Sequence, residues 1–250
     1  MTLELPLEAG RSQGWVEVPF HNPAWLTLAP AGDMRDPARR DPLLQAMHMD
    51  PSRLCMVRQV HSRQVLLARD LLAAGSVASA VTGPAPEGRN ALAEGDGIVS
   101  GPGGPPLAVG VADCIPIYIA DPVTGAYGVL HSGWRGTGIL RHGVRLLRRE
   151  FGSRPADLVV LLGPCISVDS YEVDASRGEE YAVWGEGAVV HRENRTYLDM
   201  RAANLTLARS IGVGTVGVVD HCTYRTPTLG SFRRQRSEGY TGMLAIIASA

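Results

Sequence analysis

One stretch of the chain carries side chains for which an ordinary β-hairpin has no use. In "GVADCIPIYIADPVTGAYGVLHSGWRG", residues 110–136, Asp113 and Cys114 interrupt the first apolar run, and His131 and Arg135 end the second. Asp, Pro and Gly between the runs mark a turn. A turn centred near Val123 sets Cys114 almost opposite His131, with Cβ atoms about 4.5–5.5 Å apart. A thiolate and an imidazole so placed can meet on one ion. Zinc takes both at about 2.0–2.3 Å, and a catalytic zinc keeps three protein ligands and an open position. Spacing leaves the third ligand open among His61 in "RQVHSRQV", His221 beside Cys222, and Cys165 after "LLGP". His21, His48, His142 and His191 lie in polar or turn-like contexts and read as surface residues. The competing interpretation is a small apolar thiol in the core and an exposed imidazole.

Alternation along the first run sorts its residues. Gly110, Ala112, Pro116 and Ala120 share the face of Cys114, with Tyr118 the exception, while Val109, Val111, Ile115, Ile117 and Ile119 take the other. Small neighbours leave room for a ligand, and the large ones build a core. Pro116 cannot donate to a ladder, which implies an edge position or a local irregularity.

The surrounding elements must hold these groups. "DMRDPARRDPLLQAM" (33–47) reads as a turn entering a helix, and residues 54–70 as a strand-like run with a helical or strand continuation. Residues 73–97 are small and rich in Gly and Pro, so they read as connecting material with at most one short strand. "TGILRHGVRLLRREFG" is an amphipathic helix with Ile139, Val144, Leu147 and Phe151 on one face, its arginines marking a solvated or anion-facing side. Residues 156–166 and 215–224 read as buried strands. Residues 197–213 read as a helix closing on Gly212, and the C-terminal "EGYTGMLAIIASA" as a strand inside a sheet. The fold class is therefore α+β, a single domain over 1–250 with mixed β-sheets and helices packed outside.

Composition narrows the chemistry. The 250 residues are 45% hydrophobic and 20% charged, as in globular proteins. The opening "MTLELPLEAGRSQGW" has neither a basic nor an apolar segment, so a cytoplasmic location without a secretory signal is expected. No apolar stretch reaches the ~18–20 residues of a membrane span. A net charge of −1 argues against non-specific nucleic-acid binding. All 24 basic residues are Arg, which excludes Schiff-base lysines and a P-loop lysine. Anions must be held by Arg or by backbone N–H groups. The four cysteines make no CxxC pair, and a reducing compartment disfavours disulfides among them.

Taken in order, "RQVHSRQV", "DGIVS", "LAVGVADCIPIYIAD", "GVLHSGWRGT", "LLGPCISVDSYEV" and "SFRRQRSEGYTGM" resemble the laccase-domain family. This family is also called the polyphenol oxidase or peptidoglycan-editing-factor family, and the resemblance runs from about Arg58 to the C-terminus. It implies a metal centre of two His and one Cys, namely His61, Cys114 and His131. The implied activity is zinc-dependent purine nucleoside phosphorolysis, with adenosine deamination and methylthioadenosine phosphorolysis beside it. The partners would then be a purine nucleoside and phosphate, with no nucleic acid and no membrane; no oligomeric state is implied. Alternatives are a cytoplasmic peptidoglycan-precursor amidase, a copper-dependent polyphenol oxidase, and a non-catalytic metal-binding protein. Copper binds such ligands more tightly than zinc. A coupled copper cluster, however, needs many His, and this chain has seven with no H-x-H pair, which favours zinc over copper.

Remaining roles are assigned to polar neighbours. Asp113, Arg135 and Cys165 are the catalytic candidates: Asp113 as a carboxylate orienting a ligand or pairing with an Arg, Arg135 as an anion fork, Cys165 as a pocket thiol or an inert buried one. Gln59, Arg135, Arg233 and Arg234 are candidates for substrate and anion binding. Two departures from the family stand out. Asp169 and Ser170 replace paired cysteines, and Met243 replaces an Arg, with Arg236 in the longer loop as a possible substitute.

Overall fold

The computed structural model describes residues 1–74, 92–236 and 239–250, so the connecting segment expected at 73–97 lies largely outside the described residues. Strands and helices are numbered along the chain. The larger sheet is mixed. Its order is β1 (Thr2–Leu3), β13 (Thr215–Val219), β9 (Val159–Leu162), β7 (Ile115–Ala120), β8 (Tyr127–Ser132), β5 (Gly97–Ser100) and β4 (Val65–Leu67). The pairs from β9 to β5 through β7 and β8 are antiparallel, while both flanks add parallel neighbours. A second, antiparallel sheet runs β2 (Trp15–Glu17), β3 (Ala24–Thr27), β14 (Met243–Ile247) and β6 (Leu107–Val111). A small third sheet joins β10 (Glu172–Val173), β12 (Arg195–Leu198) and β11 (Val189–Arg192).

Period-two alternation decides how the layers stack. Leu107, Val109 and Val111 of β6 and Met243, Ala245 and Ile247 of β14 share a core with Tyr118, Tyr127 and Val129 from the larger sheet. The alternate residues Ala108, Leu244 and Ile246 face outward, onto Leu44 and Met47 in and just after α2 (Pro37–Ala46). On the far side of the larger sheet, Ile115, Ile117 and Ile119 pack against α4 (Ile139–Phe151) and α6 (Met200–Ile211). The fold is α+β, with helices outside two packed sheets. α4 buries Ile139, Leu140, Val144 and Leu147 and turns its arginines to solvent, as its pattern implies. α6 starts at Asp199, whose carboxylate accepts the Ala202 N–H at 2.8 Å, and ends at Gly212 with φ 82°. Short helices α1 (Leu7–Gly10), α3 (Ala68–Ala73), α5 (Ala175–Tyr181) and α7 (Phe232–Gln235) complete the periphery.

The residues from 107 to 120 do not form the single strand that alternation suggests. β6 belongs to one sheet and β7 to the other, and the chain turns a corner between them at Ala112–Cys114. The three residues of this corner interrupt the alternation, so Gly110 and Ala112 are not strand neighbours of Cys114. Nor is Pro116 at an edge. It is the second residue of a strand buried between β8 and β9, and the ladder starts beside it.

Candidate metal centre

Three separate elements deliver the three ligands. His61 lies in the loop before β4, Cys114 closes the corner between β6 and β7, and His131 sits near the end of β8. Their donor atoms lie within 4.8 Å of one another, and the two imidazoles meet edge to face with centroids 4.9 Å apart. The hairpin register lies within one residue of that expected for a turn at Val123, but it sets Pro116, not Cys114, opposite His131. Cys114 stands beyond the paired residues and reaches the imidazole past Gly133. A Cβ at Gly133 would lie 2.8 Å from the Cys114 Sγ and 3.3 Å from His61 Cδ2. The absence of a side chain there is what lets thiol and imidazoles converge. Gly133→Ala is expected to fold normally and to lower metal affinity by about 10-fold; chelator competition with circular dichroism beside it measures both.

A residue given no role by sequence reasoning organises the site. Asp96, immediately before β5, is fully buried, and its Oδ1 lies 2.8 Å from His131 Nδ1. A carboxylate only accepts, so Nδ1 carries a proton and Nε2 is the His131 nitrogen that an ion can take in place of a proton. The same carboxylate accepts backbone N–H groups from Val60, His61 and Ser62 at 3.2, 3.0 and 2.6 Å, and the Ser62 hydroxyl at 2.8 Å. These bonds hold His61 in a left-handed conformation, φ 58°, which costs a non-glycine residue about 1 kcal/mol. One carboxylate thus fixes two of the three ligands. Burial works against its charge, but the His131 and Ser62 hydrogen bonds prevail and hold it down at about 2. The only signal in the sequence is an acid, in "EGDGIVS", directly before a short uncharged strand.

The site's own electrostatics suit a cation. Burial opposes ionisation of the Cys114 thiol, yet the adjoining His131 and His61 bring it down to about 7. Burial likewise opposes protonation of His131, while Cys114 and Asp96 raise it to about 9. A thiolate and two imidazoles, one with its tautomer fixed, match the donor preferences of zinc or copper. Among the described residues this is the one group of three or more His, Cys, Asp or Glu able to hold an ion. His221, left open by spacing, instead accepts the Leu5 N–H at 2.9 Å. The donors provide for a single ion, and no coupled cluster assembles among the described residues.

A cavity of about 560 Å³ opens over these ligands, walled by Trp134, Tyr171, Phe232 and Tyr240 and by Arg35, Arg177, Arg233 and Arg236. Of the substrate-binding candidates, Gln59 and Arg233 line it. Gln59 uses its amide to pair with the backbone of Gly110, at 2.6 and 2.8 Å, and so serves as wall. Arg234 does not face the cavity; its guanidinium donates to the carbonyls of Thr223, Tyr224 and Leu229 and fastens that loop. Arg135 is exposed outside the lining, lying 5.0 Å over the Trp134 ring. Cys165 is buried under the sheet, its thiol pushed up to about 12 by burial, and does not reach the cavity. Asp113 borders the cavity, but its oxygens accept the Thr223 hydroxyl and the Arg233 N–H, both at 2.6 Å, which makes it a fastener of α7. The corner at 112–114 explains this: it turns Asp113 sideways, not to the opposite face of a strand. Asp169 pairs with Arg192 at 2.6 Å, and Met243 is buried in β14 with its sulfur accepting the Gly230 N–H. Trp134, Tyr171, Phe232 and Arg177 had no signal beyond their types.

Two packed sheets that bring a His–Cys–His group able to hold one ion to the floor of a small-molecule-sized cavity define an α+β protein with a candidate metal site. The chain belongs to the family described as multi-copper polyphenol oxidoreductase laccase, whose model matches residues 32–249. It is similar in structure to the hypothetical protein YfiH of Bacillus licheniformis, with a TM-score of 0.83 at 24% identity over 98% of this chain and 99% of that one. It is also similar to YlmD of Geobacillus stearothermophilus, with a TM-score of 0.78 at 27% identity over 94% and 96%. Among curated proteins, it is 37% identical over 158 residues to a purine nucleoside phosphorylase of Deinococcus radiodurans, covering 62% of this chain and 61% of that relative's length. It is 29% identical over 206 residues to one of Bacteroides thetaiotaomicron, covering 78% and 73%. No helix among the described residues is long and apolar enough to cross a membrane.

Proposed function

We propose that the chain is a purine nucleoside phosphorylase whose cavity holds the nucleoside and phosphate above a zinc ion bound by His61, Cys114 and His131. The observation that carries this reading is the cavity's lining: flat aromatic faces beside guanidiniums, at the mouth of a three-ligand site. Aromatic faces suit a purine, and Arg forks suit phosphate. The relatives named purine nucleoside phosphorylase support the same substrate class. Four free cysteines fit a reducing cytoplasm.

In this reaction a phosphate oxygen bonds to the ribose C1′ while the C1′–N9 bond breaks. The bonding pair leaves with the purine, which takes up a proton. The arginines neutralise the phosphate and hold it in line, the rings fix the base, and enclosure limits competing attack by water. A bound zinc ion would supply a Lewis acid with an open coordination position. Asp96 keeps His131 Nδ1 protonated and the ring oriented, so Nε2 stays available as a ligand. The same three-donor set with an open position also supports hydrolytic deamination of adenosine as a second reading.

Chromatography of adenosine incubated with zinc-loaded protein, with and without phosphate, tests both. Adenine and ribose 1-phosphate formed only with phosphate is the expected result, with methylthioadenosine as a second substrate. Inosine formed without phosphate identifies the deaminase. Neither product from stoichiometrically loaded protein removes the nucleoside reading, and peptidoglycan precursors become the next substrates to assay.

A further inference from the structure

The cations and rings that line the cavity are not equally available to a ligand. Arg35 commits its Nε and Nη2 to Asp33 and to the Tyr240 carbonyl, and lies 3.9 Å over the Tyr240 ring. Arg177 is held by Asp174 at 3.5 Å and by the Trp134 ring at 4.8 Å. Arg233 donates to the Glu172 carbonyl at 2.9 Å and covers Tyr171 at 5.2 Å. Three of the four rings therefore already carry a guanidinium. Phe232 and Arg236 are the exceptions. Arg236 has no hydrogen-bond or ion-pair partner among the described residues. Among the described residues the Phe232 ring meets one other ring, Tyr240, edge to face at 5.2 Å, and Phe232 is 51% exposed.

These two residues stand four apart on the turn of α7, which Arg236 continues with φ −54° and ψ −29°. Ring and guanidinium therefore project from one face of that turn. Its base is well fixed: Ser231 accepts the Arg234 N–H at 3.2 Å, Asp113 accepts that of Arg233, and the Arg234 guanidinium clamps the preceding loop. Hence, among the described residues, the one uncommitted ring and the one uncommitted cation of the lining sit together on a fastened support.

We infer that Phe232 and Arg236 form a two-point clip for substrate, the ring stacking on the purine and the guanidinium forking onto a phosphate. The inference rests on the nucleoside reading and assigns the base and anion contacts within it. The phosphate has two chemical sources, free inorganic phosphate or the phosphoryl group of a nucleotide. Stacking on a ring and a bidentate Arg–phosphate contact each change affinity by about 10-fold or more.

Arg236→Gln, Phe232→Ala and, as a charge control on the exposed face of α4, Arg145→Gln are compared in the metal-loaded protein. Phosphate and adenosine are varied separately in steady-state assays. Calorimetric titrations with inorganic phosphate, adenosine and adenosine 5′-monophosphate give affinities without turnover. Arg236→Gln is expected to raise the KM for phosphate about 10-fold while the KM for adenosine stays within about 2-fold, and Phe232→Ala to do the reverse. If Arg236→Gln weakens the monophosphate but not free phosphate, the clip holds a nucleotide's phosphoryl group. Unchanged phosphate and monophosphate affinities in Arg236→Gln, or unchanged adenosine affinity in Phe232→Ala, overturn the clip. An inactive wild type whose binding still falls in the two variants removes the phosphorylase reading and keeps the clip. A wild type that binds none of the three ligands overturns both.

Discussion

Cys114→Ser is expected to leave the chain folded, without stoichiometric zinc and without measurable turnover. The substitution keeps the side chain's size at the corner, so the sheets on either side are not disturbed. What changes is the donor. The thiol lies at about 7 beside the two imidazoles and reaches its ligand form at neutral pH, whereas a serine hydroxyl does not ionise there. Two imidazoles remain, one of them on an exposed loop. Losses on removing even an outer partner of a metal site run to about 10–100-fold, and removal of a direct ligand should exceed that. Metal content by mass spectrometry, far-ultraviolet circular dichroism and the adenosine assay test the three parts together. Full activity in metal-free Cys114→Ser protein would discard the metal centre. Chelator treatment of the wild type should reproduce the loss, and zinc should restore it.

The second large effect belongs to Asp96. Asp96→Asn retains the shape of the side chain but replaces an acceptor oxygen with an amide NH2, a donor that then faces the N–H groups of the 60–62 loop or the protonated Nδ1 of His131. Each buried donor left without an acceptor costs about 1–3 kcal/mol. A destabilisation of about 2–4 kcal/mol is expected, with a metal affinity about 10–100-fold lower because two ligands lose their orientation together. Urea denaturation and chelator competition give the two numbers. A variant with wild-type metal affinity would show that Asp96 does not position the ligands. The pH dependence has a definite sign. The folded carboxyl lies near 2, below its ordinary 3.8, so its contribution is present above 3.8 and is lost as the pH falls towards 2. Asp96→Asn should accordingly narrow its stability gap to the wild type in acid.

Some of the site was legible in the chain alone because its signals are local. An apolar run containing Cys114, a second run ending in His131, and a turn between them bring the two residues near each other whatever the exact register. The register of β7 and β8 lies within one residue of the expected one, yet Cys114 stands in the corner at 112–114, before the ladder begins, and so is not opposite His131. A corner between sheets has no period of its own. Alternation continues through it in the sequence while the strands it joins belong to different layers. The same corner sets the partners of Asp113, which come from Thr223 and Arg233, more than a hundred positions away.

The arginines make a similar point. "SFRRQR" offers three neighbouring guanidiniums of identical chemistry, and composition requires Arg for any anion because lysine is absent. One of the three supports a loop, one is shared between a carbonyl and a ring, and one is free among the described residues. Local sequence has no means to rank them.

The chain alone specified the helices α4 and α6, the buried strands, the absence of lysine chemistry, and the approach of a thiol, Cys114, to an imidazole, His131, while the third donor, His61, was supplied by the family resemblance. All but the last follow from short-range rules: helical or strand periodicity, turn chemistry, or ligand preference. Only the tertiary structure decided that Asp96 anchors His61 and His131, that Gly133 gives the thiol its path, and which side chains wall the cavity. Those outcomes depend on which distant segments become neighbours when two sheets pack. A buried carboxylate is stable only once the donors that surround it have been brought together.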